Sequence, residues 1–381
     1  MAVNLHSTFF PSHLNKNQAL LLLHAQHGYN LEMGHKGISK APFPSHFKQG
    51  QYYPANIGDV LISKYQIIGK LGFGTTSTVW LARDLEGHQY VTLKIYTRDE
   101  ALDIFTIPSS GGDYPCLVQN PMWESFRDIL CRNPNHRFTE DLLKSGLMQI
   151  FLALDYLHTE CKLVHTDIKS DNILQEIEDK SILGSFTQAE LKSPSPRKIV
   201  NGFPVYASRR FDLPKVFGRA VLSDFGSAVR GDERRNHDAQ PNVYRSPEVM
   251  LKTDWSYPVD IWNVGVMMWD LFEGKHLFYG NDPDGKGYST RAHLAEVMGI
   301  LGPPPLDMLQ RGKRSHEFFT SDGRWKQDIE IPTGVSLELS EKFLEGRNKE
   351  MFIAFMRGML QWRPEDRKTA KDLLQDPWLN D

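Results

Sequence analysis

The sequence predicts an α+β chain of two lobes, a small antiparallel β lobe followed by a larger, mainly helical lobe. Three observations predict it. From residue 57 onward, short runs rich in β-branched and aromatic residues are separated by Gly, Asp and Glu turns. Beyond residue 119, apolar residues recur at spacings of three and four. The chain has 381 residues, 40% hydrophobic and 24% charged, which is globular composition and enough length for two lobes.

Taken in order, 65–68, 78–82 and 90–96 read as three antiparallel strands. A fourth and fifth follow at 102–107 and 114–119, joined by the turn sequence PSSGGD. In 140–158, Leu142, Leu143, Leu147, Ile150, Phe151, Leu154 and Leu157 mark one face of a helix. The organisation expected is an N-terminal extension at 1–56, a small lobe at 57–119 and a large lobe at 120–379. Residues 175–219 break the helical rhythm with SPSPRK and scattered Gly and Pro. With eight Lys or Arg against five Asp or Glu, they read as an exposed, solvated insertion.

The bulk properties exclude several classes. A formal charge of −3 gives no electrostatic case for nucleic acid or a membrane surface as the partner. Cys116, Cys131 and Cys161 have no paired metal spacing, which argues for a reducing compartment, cytoplasm or nucleus, and against a disulfide scaffold. The apolar run at 19–23 is far shorter than the roughly 20 residues a spanning helix needs. The first fifty residues carry one acid, Glu32, and four lysines but no arginine, so a flexible extension is a better reading than a transit peptide.

The chemistry-bearing residues come in sequence order. In LGFGTTSTVW, Gly72 and Gly74 fall where a turn between strands would let backbone amides approach phosphates with no Cβ in the way. Val79 follows at the spacing that would roof an adenine ring, and Lys94 lies on the next strand. Alone, this is equally a glycine hairpin beside a solvated lysine. The segment LVHTDIKSDNIL, 163–174, decides between them. Asp167 can accept a hydroxyl proton, Lys169 can offset charge on a transferred phosphoryl group, and Asn172 can hold a metal. LSDFGSA then supplies Asp224, an oxygen ligand suited to magnesium, and YRSPEVM supplies Glu248.

Glycine loop, strand lysine, catalytic loop, DFG and S-P-E in this order resemble the eukaryotic protein kinases. The resemblance covers about 57–379 and implies a bilobal protein-kinase-like fold, with ATP and Mg2+ as cofactors and transfer to protein serine or threonine. It adds Leu71 and Leu174 to the ATP contacts Gly72, Gly74, Val79 and Lys94. Asp260 in VDIWNVG resembles the aspartate that braces the catalytic loop, and Arg367 in WRPEDR resembles the arginine that pairs with Glu248; both read as structural. Ser77 in place of a third loop glycine, LALDYLHTECKLVHTDIKSDNIL and YSTRAHLAEVMGILGPPP are similar to the SR-protein kinase family, fungal-type, within the CMGC group. That likeness implies arginine-serine-rich splicing factors as protein substrates, a role in signalling to mRNA processing, a monomer in cytoplasm and nucleus, and no direct contact with nucleic acid or membrane. Thr166 stands where kinases switched by loop phosphorylation carry arginine, so the activation segment, 224–248, is expected to be held without a phosphate. An acidic groove for arginine-rich substrates at 281–296, with Asp282, Asp284 and Glu296, is weakened by Lys286 and Arg291.

One departure bears on activity. Once the fourth strand and its turn are subtracted, the gap after Lys94 leaves about six residues at 97–102, roughly 9 Å of helix. The regulatory helix that bears the lysine-pairing glutamate therefore reads as missing, and Glu100 is the glutamate within the gap. The alternative function is a scaffold with a kinase fold and impaired catalysis. The intact set Asp167, Lys169, Asn172 and Asp224 favours an active enzyme.

Overall fold

The computed structural model describes residues 51–98, 104–109, 112–200 and 202–381. These fall into two compact units, the first made of the chain up to Trp123 together with Gln175–Gly218, the second of Glu124–Leu174 with Arg219–Asp381.

The first unit is built on a six-stranded sheet of β1 (Val60–Leu61), β2 (Tyr65–Phe73), β3 (Ser77–Asp84), β4 (Gln89–Tyr96), β5 (Thr106–Ile107) and β6 (Tyr114–Gln119). The strand order is β1-β2-β3-β4-β6-β5, and every pairing is antiparallel. Ile67, Trp80, Ala82, Val91, Leu93, Ile95 and Cys116 bury one apolar layer, as alternation along half-buried strands requires. Burial pushes the Cys116 thiol up to about 12, so it is a packing group. Among the described residues no helix stands between β4 and β5, and Glu100 lies outside the described residues, as does Leu102 of the expected fourth strand.

The insertion is where the sequence reading and the structure part. It holds a helix, Ser181–Lys192, and a hairpin of Arg197–Val200 with Phe203–Tyr206, and it buries Ile182, Leu183, Phe186, Val205 and Tyr206. Phe186 fills the space over Gly69, where a Cβ would come within 2.7 Å of its ring. Tyr206 meets the Trp80 ring edge-on at 6.0 Å, and the Tyr90 and Thr187 hydroxyls lie 3.1 Å apart. Lys70 on β2 is buried against the rings of Phe73 and Trp80, donates to Tyr206 O at 3.2 Å, and is lowered by burial to about 8. The segment is thus no solvated loop; its apolar helical face lay hidden between polar flanks, and its partner is a glycine far upstream.

The second unit is mainly helical. Helix Phe126–Arg132 starts at a capping box of Ser125 and Asp128, and helix Glu140–Tyr156 at Thr139, whose hydroxyl accepts from Leu142 N. The expected helix at 140–158 continues past Tyr156 as a wider turn, Leu157–Cys161. In helix Pro258–Glu273 every residue from Val259 to Glu273 is buried, the mark of a core helix. No helix among the described residues is long and apolar enough to cross a membrane.

Candidate active site

In the first unit the sheet register assembles the site. Gly72 pairs with Val79, Val79 with Lys94 and Lys94 with Leu117, so one row across four strands carries three of the expected nucleotide residues. Residues directly opposite share a face, which sets the Val79 and Lys94 side chains side by side. Lys94 is half-buried, with its ammonium 5.1 Å from the centre of the Tyr96 ring. Leu71 precedes Gly72 at an irregularity between Lys70 and Gly72. Neither Gly72 nor Gly74 has positive φ, and a Cβ would meet nothing within 4 Å at Gly72 and only Ser77 Oγ, at 3.8 Å, at Gly74. No neighbour among the described residues demands glycine there, and the open space fits close approach of a phosphate chain. Tyr52, which belongs to no motif, donates its hydroxyl to Gly74 O and Thr75 O at 3.1 and 2.7 Å and pins the turn.

The second unit assembles the reacting groups. Lys169 Nζ donates to both carboxylate oxygens of Asp167, at 2.9 and 2.7 Å. Asn172 Nδ2 donates to Asp167 O and Oδ2, at 2.8 and 2.9 Å. The amide nitrogen of Asn172 is therefore committed to Asp167, and its amide oxygen is the atom a hard cation would meet. Ser223 ties the next segment to this one, its N–H and hydroxyl both donating to Asn172 O at 2.8 and 2.9 Å. Asp224 follows in a left-handed conformation, φ +62°, and Phe225 sets its ring edge-on to His165 at 5.0 Å. Two oxygen donors of this kind, Asp224 and Asn172, fit a small divalent cation. Leu174 lies half-buried on the strand Ile173–Glu176 of the same loop.

Asp260, wholly buried, holds the catalytic loop. It accepts from His165 N at 2.7 Å, Thr166 N at 2.8 Å and His158 Nε2 at 2.9 Å. Glu248 and Arg367 form a bidentate pair with both side chains fully buried, and Arg367 also donates to Pro258 O and Gln361 O. Thr166 donates its hydroxyl to Ser227 O at 2.9 Å, and Gln240 accepts from both the N–H and hydroxyl of Ser246 while donating to Val259 O. His158 and Gln240 carried no sequence signal; their roles come from backbone partners. In the expected acidic groove, Asp282 is held by Nε and Nη2 of Arg291 and pushed far below the usual carboxylate range by them, Asp284 pairs with Lys286 at 3.2 Å, and Glu296 accepts from Tyr279 N and Gly280 N.

The protein kinase domain family model matches residues 213–379. A serine/threonine protein kinase of Aspergillus fumigatus is 42% identical, over 87% of this chain and 88% of that protein. The serine/threonine-protein kinase SRPK of Physarum polycephalum is 28% identical over 88% of this chain and 90% of its own length, and human SRSF protein kinase 3 is 23% identical over 88% and 90%. The crystal structure of the PF14_0431 kinase domain superposes with a TM-score of 0.65 at 21% identity, covering 86% of this chain and 98% of that one, which shows the same bilobal fold of small β-rich and larger helical lobes. With its loop, DFG and buried Glu248–Arg367 pair in kinase order, the chain belongs to the eukaryotic protein kinases, among relatives of the fungal and SR-type serine/threonine enzymes.

Proposed function

We propose that this serine/threonine kinase phosphorylates arginine-serine-rich proteins of mRNA processing, in cytoplasm and nucleus, with Asp167 as the group that receives the substrate hydroxyl proton. The observation that carries the residue assignment is the Asp167 carboxylate fixed from two sides by Lys169 and Asn172. A carboxylate so held cannot turn away from an incoming hydroxyl, and positioning is most of what phosphoryl transfer asks of a protein. Lys169 keeps a further N–H beyond the two spent on Asp167, and that N–H supports the transferred group as charge redistributes. Gly72, Gly74, Val79, Leu71 and Lys94 are the residues of the first unit that would contact ATP. Magnesium, when bound through Asp224 and Asn172, supplies positive charge against the triphosphate. Asp260, Glu248 and Arg367 act through the loop and segment they hold.

The substrate class rests on the SR-type relatives, since Asp282, Asp284 and Glu296 are engaged internally. Kinase assays with magnesium, ATP and an arginine-serine repeat peptide test both halves. Transfer to that peptide in preference to one without arginine is expected. Asp167→Asn should abolish transfer yet leave nucleotide-induced thermal stabilisation nearly intact, because Asp167 faces the hydroxyl and not the nucleotide. Equal transfer by the mutant would remove Asp167 from its role, and wild-type protein that binds ATP without transfer would establish the scaffold reading instead.

A further inference from the structure

The insertion contains two Ser-Pro pairs in succession, Ser193-Pro194 and Ser195-Pro196, and the kinase reaction uses neither. By sequence Ser195 is the better target for a proline-directed enzyme, since Arg197 and Lys198 follow it. The structure reverses that order. Ser195 is buried, its N–H donates to Glu190 Oε2 at 2.9 Å and its hydroxyl is spent on Glu190 Oε1. Ser193 is exposed at the end of helix Ser181–Lys192, outside helical geometry at φ −142° and ψ 84°, before a trans proline.

Arg209 lies beside it. Its Nη2 donates to Ser193 O and its Nε to Glu190 Oε1, while its own N–H donates to Lys70 O on β2 at 2.8 Å. One guanidinium nitrogen, Nη1, engages no group among the described residues. Lys192, Arg197, Lys198 and Arg210 are exposed nearby in the chain.

We propose that Ser193 is a phosphorylation site for a proline-directed serine kinase, and that its phosphate clamps the insertion to the small lobe through Arg209. In that transfer Ser193 Oγ forms the ester bond to the γ-phosphorus of ATP, the bond from that phosphorus to the β,γ-bridging oxygen breaks, ADP leaves and the hydroxyl proton passes to the acting kinase's base. The product carries about −1.5 to −2 charge at neutral pH and three strong acceptors. A phosphate at a helix C-terminus is opposed by the peptide dipoles and by Glu190, and the open edge of Arg209, already bonded to Ser193 O, is the cation placed to offset both. Because Arg209 is bonded at once to the helix and to β2, fixing its guanidinium stiffens the seat of the strand that carries Gly72.

The full-length protein is treated with a proline-directed kinase and ATP, then mapped by mass spectrometry and followed by hydrogen exchange. One phosphate on Ser193 is expected, with amide exchange across 183–195 and 206–210 slowed about tenfold, the scale of one charge-assisted bidentate contact. Ser193→Ala takes no phosphate. Arg209→Lys keeps the charge but not the fork; it takes the phosphate and shows little slowing. Phosphate on Ser195, phosphate on neither serine, exchange that is unchanged or faster, or full slowing in Arg209→Lys would each overturn the proposal.

Discussion

Asp260→Asn keeps the shape of a wholly buried side chain and removes its charge and one acceptor. The carboxylate accepts from His165 N on one oxygen and Thr166 N on the other, at 2.7 and 2.8 Å, with His158 Nε2 added at 2.9 Å. An amide places an N–H2 against one of those N–H groups, and a buried donor left unmet costs about 1–3 kcal/mol. The first turn of helix Pro258–Glu273 also favours a carboxylate at this position, and the amide forgoes that as well. The loop relieves the clash by moving, and His165 and Thr166 directly precede Asp167. A displacement of about 1 Å at the reacting group costs on the order of a hundredfold in rate. Steady-state kinetics should therefore show kcat reduced about 30- to 100-fold and the KM for ATP changed by less than about threefold, since the nucleotide residues on β2, β3 and β4 are untouched. A folded mutant, judged by circular dichroism, with wild-type kcat would refute the bracing role, as would a rise in KM at unchanged kcat.

Arg367→Met leaves the Glu248 carboxylate buried without its cation and should cost about 3–5 kcal/mol of stability, while pairing it with Glu248→Leu should recover most of the loss; a chemical-denaturation cycle measures both. His276 Nδ1 donates to Asp270 Oδ2, and that bond raises its pKa above the usual imidazole value, against the opposing effect of burial. A raised folded pKa gives stability that is complete below about pH 6.5 and is lost as pH climbs through the folded value, so the melting temperature should fall over that window and fall less in His276→Gln; parallel curves would disprove the linkage. Thr166→Val keeps the β-branched shape and deletes the bond to Ser227 O, so kcat should drop by about fivefold to tenfold for a bond of roughly 1 kcal/mol, whereas phosphatase treatment of the wild type should leave its rate unchanged.

How much was legible in the sequence depends on where each residue finds its partner. Asp167, Lys169 and Asn172 lie within six residues and bond to one another, so their chemistry was written in one short segment. Gly72, Val79 and Lys94 fall on three consecutive strands, and antiparallel hairpins place such residues in one row once the turns are recognised. Tyr52 could not be found that way, because its acceptors are the carbonyls of Gly74 and Thr75, and backbone carbonyls carry no sequence signature. The helix at Ser181–Lys192 was lost for a related reason. Ile182, Leu183 and Phe186 give only one helical turn of apolar signal, and the buried Glu190 looks solvated until Arg209 and Ser195 are seen around it.

Thr166 shows what the departure from arginine at this position entails. A β-branched residue at φ +68° is strained by about 1–3 kcal/mol and persists only where its surroundings over-determine it. Two bonds do so here, the N–H to Asp260 and the hydroxyl to Ser227 O, one residue past Gly226. The catalytic loop and the start of the activation segment are thereby joined directly, at a point where an arginine would reach outward for a phosphate. Further along, Gln240 fastens Ser246 to the carbonyl of Val259, and Arg245 donates from Nε to Ala239 O and from Nη2 to Gln240 O and Asn242 Oδ1. Hydrogen bonds from Thr166 to Asp260 and Ser227 O, and from Ser246 to Gln240, thus hold the catalytic loop and both ends of the activation segment with no phosphate in any of them.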